Sequence, residues 1–219
     1  ESFPFLNPPQ PNAIRAGYQL LIELGALDEK QNLSPLGWHL ARLPVDPAIG
    51  RMIVQAVKER ALSEVLVIAA GLSVQDPRER PADQKEAAEQ AHRRFVHPES
   101  DFLTLLSIWN TYHDEFERLK TQAQMRRFCR DHFLSYMRMR EWVDVHAQLE
   151  EALESVDSTS IGETITTINA PPPTDPNRKM DVALYAAVHR SILSGLLTHV
   201  AQRREKNFYC GTENREAMI

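Results

Sequence analysis

The chain has 219 residues, of which 42% are hydrophobic and 25% are charged, and its formal net charge is −5. This apolar content can build a folded core, and the length suits one large domain or two small ones. The negative net charge argues against wholesale non-specific binding of nucleic acid, so any such contact must be a local basic surface.

The general features of the chain predict a cytoplasmic protein. Its two cysteines, Cys129 and Cys210, give no disulfide framework, which favours a reducing compartment. The sequence contains neither an apolar run long enough to span a bilayer nor a signal peptide. Both ends look cut, because the chain opens on a Pro-rich stretch and closes on an unfinished hairpin. We therefore expect an excised piece of a longer protein.

The first 44 residues resemble a small winged-helix unit. Asn12 can cap a helix over residues 13–24 with Ile14 and Tyr18 inward, and Gly25 ends it. A short hairpin and a second helix from Ser34 follow. Winged helices often bind DNA, but residues 34–43 offer only Arg42 and His39 as basic groups. A structural role is therefore favoured.

The middle of the chain predicts a helical bundle. A helix starts at Asp46, and residues 62–72 are apolar on all sides, which is typical of a buried helix. The stretch SVQDPRERP predicts an extended polar turn, and residues 82–94 a solvated helix or a linker. Ser100 or Asp101 can cap the next helix, in which Trp109 is a core residue.

Residues 125–149 contain no Gly or Pro, which predicts one unbroken central helix. Arg127, Arg130 and Arg138 gather on one side of it, and Arg126 and Arg140 flank them. Guanidinium groups suit phosphate and stack on bases, so this helix could line a channel for a polyanion. The alternative is that the arginines are solvated or paired with neighbouring carboxylates.

The last part of the chain predicts a loop over residues 157–181, because it is rich in Ser, Thr and Pro. A helix over residues 182–197 and a hairpin from about residue 198 follow. The predicted fold class is therefore mainly α: a winged-helix unit, a helical bundle and an incomplete terminal hairpin.

Known catalytic motifs are absent from the sequence. It has no GxxxxGK[ST] loop, no GxGxxG and no HExxH. Cys129 and His132 have metal-ligand spacing but lack two further ligands, so a core cysteine beside a satisfied histidine is favoured. Trp109 and Trp142 have core spacing. His92 and His97 flank Arg93-Arg94, a small cationic cluster that could meet phosphate, although a solvent-facing position is favoured. The chain predicts no catalytic residue, no metal site and no enzyme by itself.

Six ordered strings resemble the region C-terminal to the motor of DEAH-box ATP-dependent RNA helicases, of the bacterial HrpA type. They are FPFLNPPQPNAI, YQLLIELGALDE, LSPLGWHLARLPVDPAIGRMI, EVLVIAAGLSVQDPRERP, HRRFVHPESDFLTLLSIW and FCRDHFLSYMRMREWVDVHAQL. The resemblance covers the chain apart from its Pro-rich insert.

This resemblance implies three regions. Residues 1–44 would be the winged helix with its entry, residues 45–197 the ratchet bundle, and residues 198–219 the truncated start of an OB-fold. The ratchet would form one wall of a tunnel for single-stranded RNA, with DNA as a second candidate. Its other partner would be the RecA-like motor domains of the same parent chain, where ATP and Mg would bind; SVQDPRERP would pack toward them. No cofactor is expected in this fragment.

The resemblance also implies the site residues. The family motif reads approximately Cys-x-x-Asn-Phe-Leu-Asn-Tyr followed by a basic run, and this chain has His132 and Ser135 where Asn is usual. Arg138 and Arg140 match the basic run and carry the implied RNA contact. The secondary candidates are Arg127, Arg130, His97 and Ser100.

Two other functions stay open at this point. A free-standing winged-helix DNA-binding regulator would need a basic recognition helix, which residues 34–43 do not supply. A helical adaptor that binds only protein would leave nucleic-acid affinity unchanged when Arg138 or Arg140 is removed.

Overall fold

A computed structural model describes residues 8–155, 180–205, 207–211 and 216–218. These residues confirm the mainly α fold class, with a small antiparallel sheet at the C-terminal end. The predicted loop over 157–181 lies outside the described residues, except for residues 180 and 181. The elements in chain order are α1 (Pro11–Glu23), α2 (Pro35–Leu40), α3 (Pro47–Glu59), α4 (Leu62–Ser73), α5 (Lys85–His92), α6 (Asp101–Arg118), α7 (Gln122–Asp131), α8 (Tyr136–Ser155), α9 (Val182–Gly195), β1 (Ala201–Glu205), β2 (Phe208–Gly211) and β3 (Glu216–Met218).

Most of the predicted helix starts are confirmed, because their capping side chains bond the first turn. Three residues at predicted helix starts accept a hydrogen bond from a backbone N–H of their own helix: Ser34 in α2, Asp46 in α3 and Ser100 in α6. The prediction that Asn12 caps α1 is wrong. That helix already begins at Pro11, and the missing N–H of proline suits the first helical position.

Helix α4 lies at the centre of the bundle and packs against α3, α6, α8 and α9. Its residues 65–71 are all buried, which confirms the prediction of a helix buried on all sides. Trp142 of α8 is fully buried against it and donates its indole N–H to the Val67 carbonyl at 2.9 Å. Trp109 of α6 is also buried, with its ring centroid 5.3 Å from that of Trp142. Both tryptophans are core residues, as predicted.

The N-terminal unit consists of α1, a single antiparallel bridge between Leu27 and Leu33, and α2. Its buried Ala26 and Leu40 belong to the same core cluster as buried residues of the bundle. The prediction that Ile14 and Tyr18 point inward is wrong, since 46% and 43% of their surfaces are exposed. Among the described residues, nothing buries the first turns of α1. The division between residues 44 and 45 stays a prediction.

The C-terminal strands form an antiparallel sheet in the order β1-β2-β3. The β1–β2 pair confirms the predicted hairpin, and β3 extends it by a third strand. Its assignment to an OB-fold stays a prediction. Separately, none of the helices in the described ranges combines the length and apolar content that crossing a membrane requires.

Helices α3 and α9 approach closely at Gly195. A Cβ atom on Gly195 would lie 2.2 Å from the carbonyl oxygen of Ala48 and 2.8 Å from Cγ of Met52. Because the first of these neighbours is backbone, the two helices would have to separate. We expect Gly195→Ala to lower the free energy of unfolding by about 1–3 kcal/mol, measured by urea denaturation.

Gly17→Ala is the matched control for this prediction. A Cβ at Gly17, in the middle of α1, would meet nothing within 4 Å. Alanine there should stabilise the chain by up to about 1 kcal/mol through its higher helix propensity. If Gly195→Ala were as stable as the original chain, the close packing of α3 on α9 would be contradicted.

Candidate nucleic-acid interface

The predicted central helix over residues 125–149 is interrupted, so that prediction is wrong. Helix α7 ends at Asp131 and α8 begins at Tyr136. Between them, Phe133 has a φ of +51°, in the left-handed region, which ends an α-helix. We call residues 132–135 the junction. The junction contains neither Gly nor Pro, so the cause of the helix break lies elsewhere in the chain.

The cause is the segment SVQDPRERP, which pairs with the junction. The backbone N–H of Ser135 donates to the Pro77 carbonyl at 2.7 Å, and the N–H of Glu79 donates to the Phe133 carbonyl at 2.8 Å. These bonds form an antiparallel bridge between Arg78 and Leu134. They give the Ser135 N–H and the Phe133 carbonyl the partners that a continuous helix would otherwise supply.

Asp76 and Arg78 make this segment a rigid turn. The Asp76 carboxylate accepts from the backbone N–H of Arg78 at 2.9 Å and from its guanidinium at 2.8–3.1 Å. Burial acts to raise the pKa of Asp76, but the hydrogen bonds from Arg78 outweigh it and the pKa lies below its usual range. The same hydrogen bonds raise the pKa of Arg78. Both groups therefore stay charged, and each compensates the other.

Two histidine side chains make further hydrogen bonds at the junction. Buried His92 donates from Nε2 to the Phe133 carbonyl at 3.0 Å, since a carbonyl can only accept. His132 donates from Nδ1 to the Phe128 carbonyl at 2.8 Å, so its Nε2 accepts from the Arg94 guanidinium. The predicted exposure of His92 is wrong. Arg94, in contrast, is exposed as expected.

Arg138 lies in the first turn of α8, next to the rigid turn. Its Nη1 donates to the backbone carbonyl of Asp76 at 3.0 Å. Among the ion pairs of the described residues, none includes Arg138 or Arg140. Since Asp76 is compensated by Arg78, the charge of Arg138 has no carboxylate partner in this contact. A basic group held in place by a carbonyl is available to an anionic ligand.

Arg140 lies on a different side of α8 from Arg138. Residues two positions apart on an α-helix are separated by about 200° around its axis. Arg140 is exposed, and the influence of the Tyr136 side chain is the largest cause of its raised pKa. The structure therefore does not bring the two leading candidates together. They lie on opposite sides of α8, where Arg138 is half-buried and Arg140 is exposed.

The four secondary candidates fall into two groups. Arg127 and Arg130 are both 76% exposed on α7 and share Asp131, at 3.5 and 3.8 Å. Ion pairs this exposed are weak, so a ligand could compete for both side chains. His97 and Ser100 lie instead at the start of α6. The half-buried His97 ring accepts from the Glu99 N–H at 3.3 Å.

Ser100 is occupied within the fold. Its hydroxyl accepts from the Leu103 N–H at 3.3 Å and donates to Nε2 of His189 at 2.8 Å. His189 must accept there because its Nδ1 donates to the Tyr185 carbonyl at 2.7 Å. Only 8% of the surface of Ser100 is exposed.

Cys129 and His132, which have metal-ligand spacing in the sequence, are engaged within the fold. Burial raises the pKa of the Cys129 thiol to about 12, so it is not a thiolate at neutral pH. Both ring nitrogens of His132 already have partners. Within the part of the chain that the structure describes, no group of three or more His, Cys, Asp or Glu side chains could hold a metal ion.

Two contributors to this surface were missed. The sequence places Arg78 in an extended polar turn and Arg126 at the flank of the predicted central helix, and it indicates neither as a site residue. Both positions depend on the junction, which brings Arg126 of α7 over the ring of Tyr136 in α8, with 5.2 Å between the guanidinium carbon and the ring centroid. No periodicity in the sequence could have indicated this contact.

Comparison with known proteins gives the following matches. Residues 18–45 match the winged-helix family model of the helicase associated domain (HA2), and residues 46–105 match its ratchet-like model. The whole chain is 37% identical to ATP-dependent RNA helicase HrpA of Escherichia coli and 37% identical to the HrpA homolog of Haemophilus influenzae. It spans 16% of the length of each. Over 69% of the chain, it is 35% identical to the putative ATP-dependent RNA helicase DHX57 of Mus musculus, covering 11% of that protein.

Proposed function

Since the chain carries the helicase-associated domain, in its winged-helix and ratchet-like parts, we propose that it is the accessory region of an ATP-dependent RNA helicase. In this proposal its basic surface forms one wall of a channel for single-stranded RNA. ATP and Mg bind to motor domains of the same parent chain, against which this region packs. A cytosolic location belongs to the proposal as well.

The observation that carries the proposal is the environment of Arg138. Its guanidinium bonds a backbone carbonyl next to a carboxylate that is already compensated, so its positive charge is left for a ligand. The surrounding backbone is fixed by the bonds between the junction and residues 77–79. A wall along which a strand moves must offer weak, sequence-tolerant phosphate contacts on a rigid support. This arrangement meets both requirements.

The relatives support the same interpretation. Proteins named as RNA helicases match this chain over its full length or over most of it. The chain itself lacks a phosphate-binding loop, so the energy for strand movement must come from outside these residues. A net charge of −5 also requires that the contact with RNA be local.

Photochemical crosslinking tests this placement. A single-stranded oligoribonucleotide with 4-thiouridine at successive positions is bound to the full-length protein that contains this chain, irradiated and analysed by mass spectrometry. We expect crosslinked peptides from α7, the junction and the first turn of α8. The exposed C-terminal turn of α6, around Arg118, serves as the internal control and should stay free of crosslinks. Crosslinks confined to other parts of the protein would contradict the proposal.

A further inference from the structure

Arg126, like Arg94, lies near the junction and over an aromatic ring. The guanidinium carbon of Arg126 lies 5.2 Å from the centroid of the Tyr136 ring. Arg126 is exposed and Tyr136 is half-buried. In contrast, several other exposed arginines form ion pairs with carboxylates: Arg118 with Glu115, Arg127 and Arg130 with Asp131, and Arg190 with Glu59.

Arg140 completes this cluster. It lies one helical turn after Tyr136, and the influence of that side chain is the largest cause of the raised pKa of Arg140. Asp144, a further turn along, adds to that rise in pKa and is the carboxylate of the cluster. Tyr112 lies close by, and burial raises its pKa to about 12, so it adds no negative charge at neutral pH. Over the residues that the structure describes, no ion pair includes Arg126 or Arg140.

We propose that Arg126 and Tyr136 form a stacking site for one unpaired base, with Arg140 placed to contact the phosphate beside it. The inference rests on the proposed function and adds a second contact point, on the opposite side of α8 from Arg138. A planar guanidinium that lies over an aromatic ring offers its outer face to another flat group. The bases of a duplex are already stacked on one another, so the site selects single strands.

The positions of Arg138 and Arg140 around α8 also limit how an RNA strand would cross this helix. Arg138 and Arg140 are about 200° apart around α8, so one nucleotide cannot touch both. A strand that crosses the start of α8 would meet Arg138 through one nucleotide and the Arg126–Tyr136 site through another. The first contact is with phosphate alone, whereas the second depends on the presence of a base.

Strands with and without bases separate these contacts. A short uridine oligoribonucleotide and an abasic ribose-phosphate strand of equal length are titrated against the full-length protein by fluorescence anisotropy. Arg126→Lys keeps the charge but removes the planar group. We expect it to weaken binding of the uridine strand by about fivefold or more, and to leave the affinity for the abasic strand unchanged. Arg118→Lys, on an arginine paired with Glu115, is the matched control and should change neither affinity.

The outcomes distinguish this inference from the proposed function. If Arg126→Lys binds both strands as the original protein does, the stacking site is refuted while the channel wall stands. An equal loss on both strands would assign Arg126 to phosphate and also refute stacking. If the original protein binds neither strand, the proposed function fails and the stacking site fails with it. Tyr136→Leu removes the ring and should reproduce the base-specific loss.

Discussion

Trp142→Ala is expected to lower the free energy of unfolding by about 3–5 kcal/mol, which is the usual cost of truncating a large buried aromatic side chain. Trp142 is fully buried, and its ring fills the space left by Gly71 in α4, where a Cβ would lie 2.6 Å from the indole. The substitution leaves a cavity between α4 and α8. It also removes the hydrogen bond from the indole N–H to the Val67 carbonyl.

Urea denaturation followed by circular dichroism measures this loss. Trp38→Ala is the matched control, because 61% of the Trp38 surface is exposed in α2. We expect that control to stay within about 0.5 kcal/mol of the original chain. A loss below about 1 kcal/mol for Trp142→Ala would mean that α8 does not pack on α4 as described.

The double substitution Arg138→Ala and Arg140→Ala is expected to weaken binding of single-stranded RNA by about tenfold to a hundredfold. The two side chains lie on opposite sides of α8 and share no described contact, so their contributions should add. Unwinding by the full-length protein should be impaired as well, because each step depends on the strand being held against the wall. Anisotropy titration and a strand-displacement assay measure the two effects.

Arg118→Ala with Arg190→Ala is the control for this prediction. It removes the same number of positive charges, but each of these arginines pairs with a carboxylate, Glu115 or Glu59. If the control pair weakened binding as strongly, the effect would reflect net charge. If the Arg138 and Arg140 pair had no effect, a protein-only adaptor role would be favoured.

Much of the fold could be predicted because its signals are local. The caps Ser34, Asp46 and Ser100 bond residues two or three positions ahead, so sequence spacing reveals them. The apolar run of α4 predicts burial wherever the helix is placed. The helical spacing of Trp109 and Trp142 likewise predicts that both are core residues.

The junction could not be predicted because it depends on a distant segment. Residues 133–135 make backbone hydrogen bonds to residues 77–79. Helix propensity depends on the local sequence, so it cannot indicate that a distant segment replaces helical hydrogen bonds. The wrong prediction of one continuous helix also placed the arginines wrongly relative to one another. A continuous helix puts Arg127, Arg130 and Arg138 on one face, whereas the observed break divides them between two helices. The exposure of Ile14 and Tyr18 likewise depends on which element covers α1.

The salt dependence of RNA binding tests most directly whether the α7–α8 surface contacts phosphate. Each phosphate contact with a single strand contributes about 0.7 to the slope of log affinity against log salt concentration. For the full-length protein, removing Arg138 and Arg140 should reduce that slope by about 1.4 in total, while removing Arg118 and Arg190 should leave it unchanged. Equal slopes for the original protein and both double variants would contradict a channel wall at this surface.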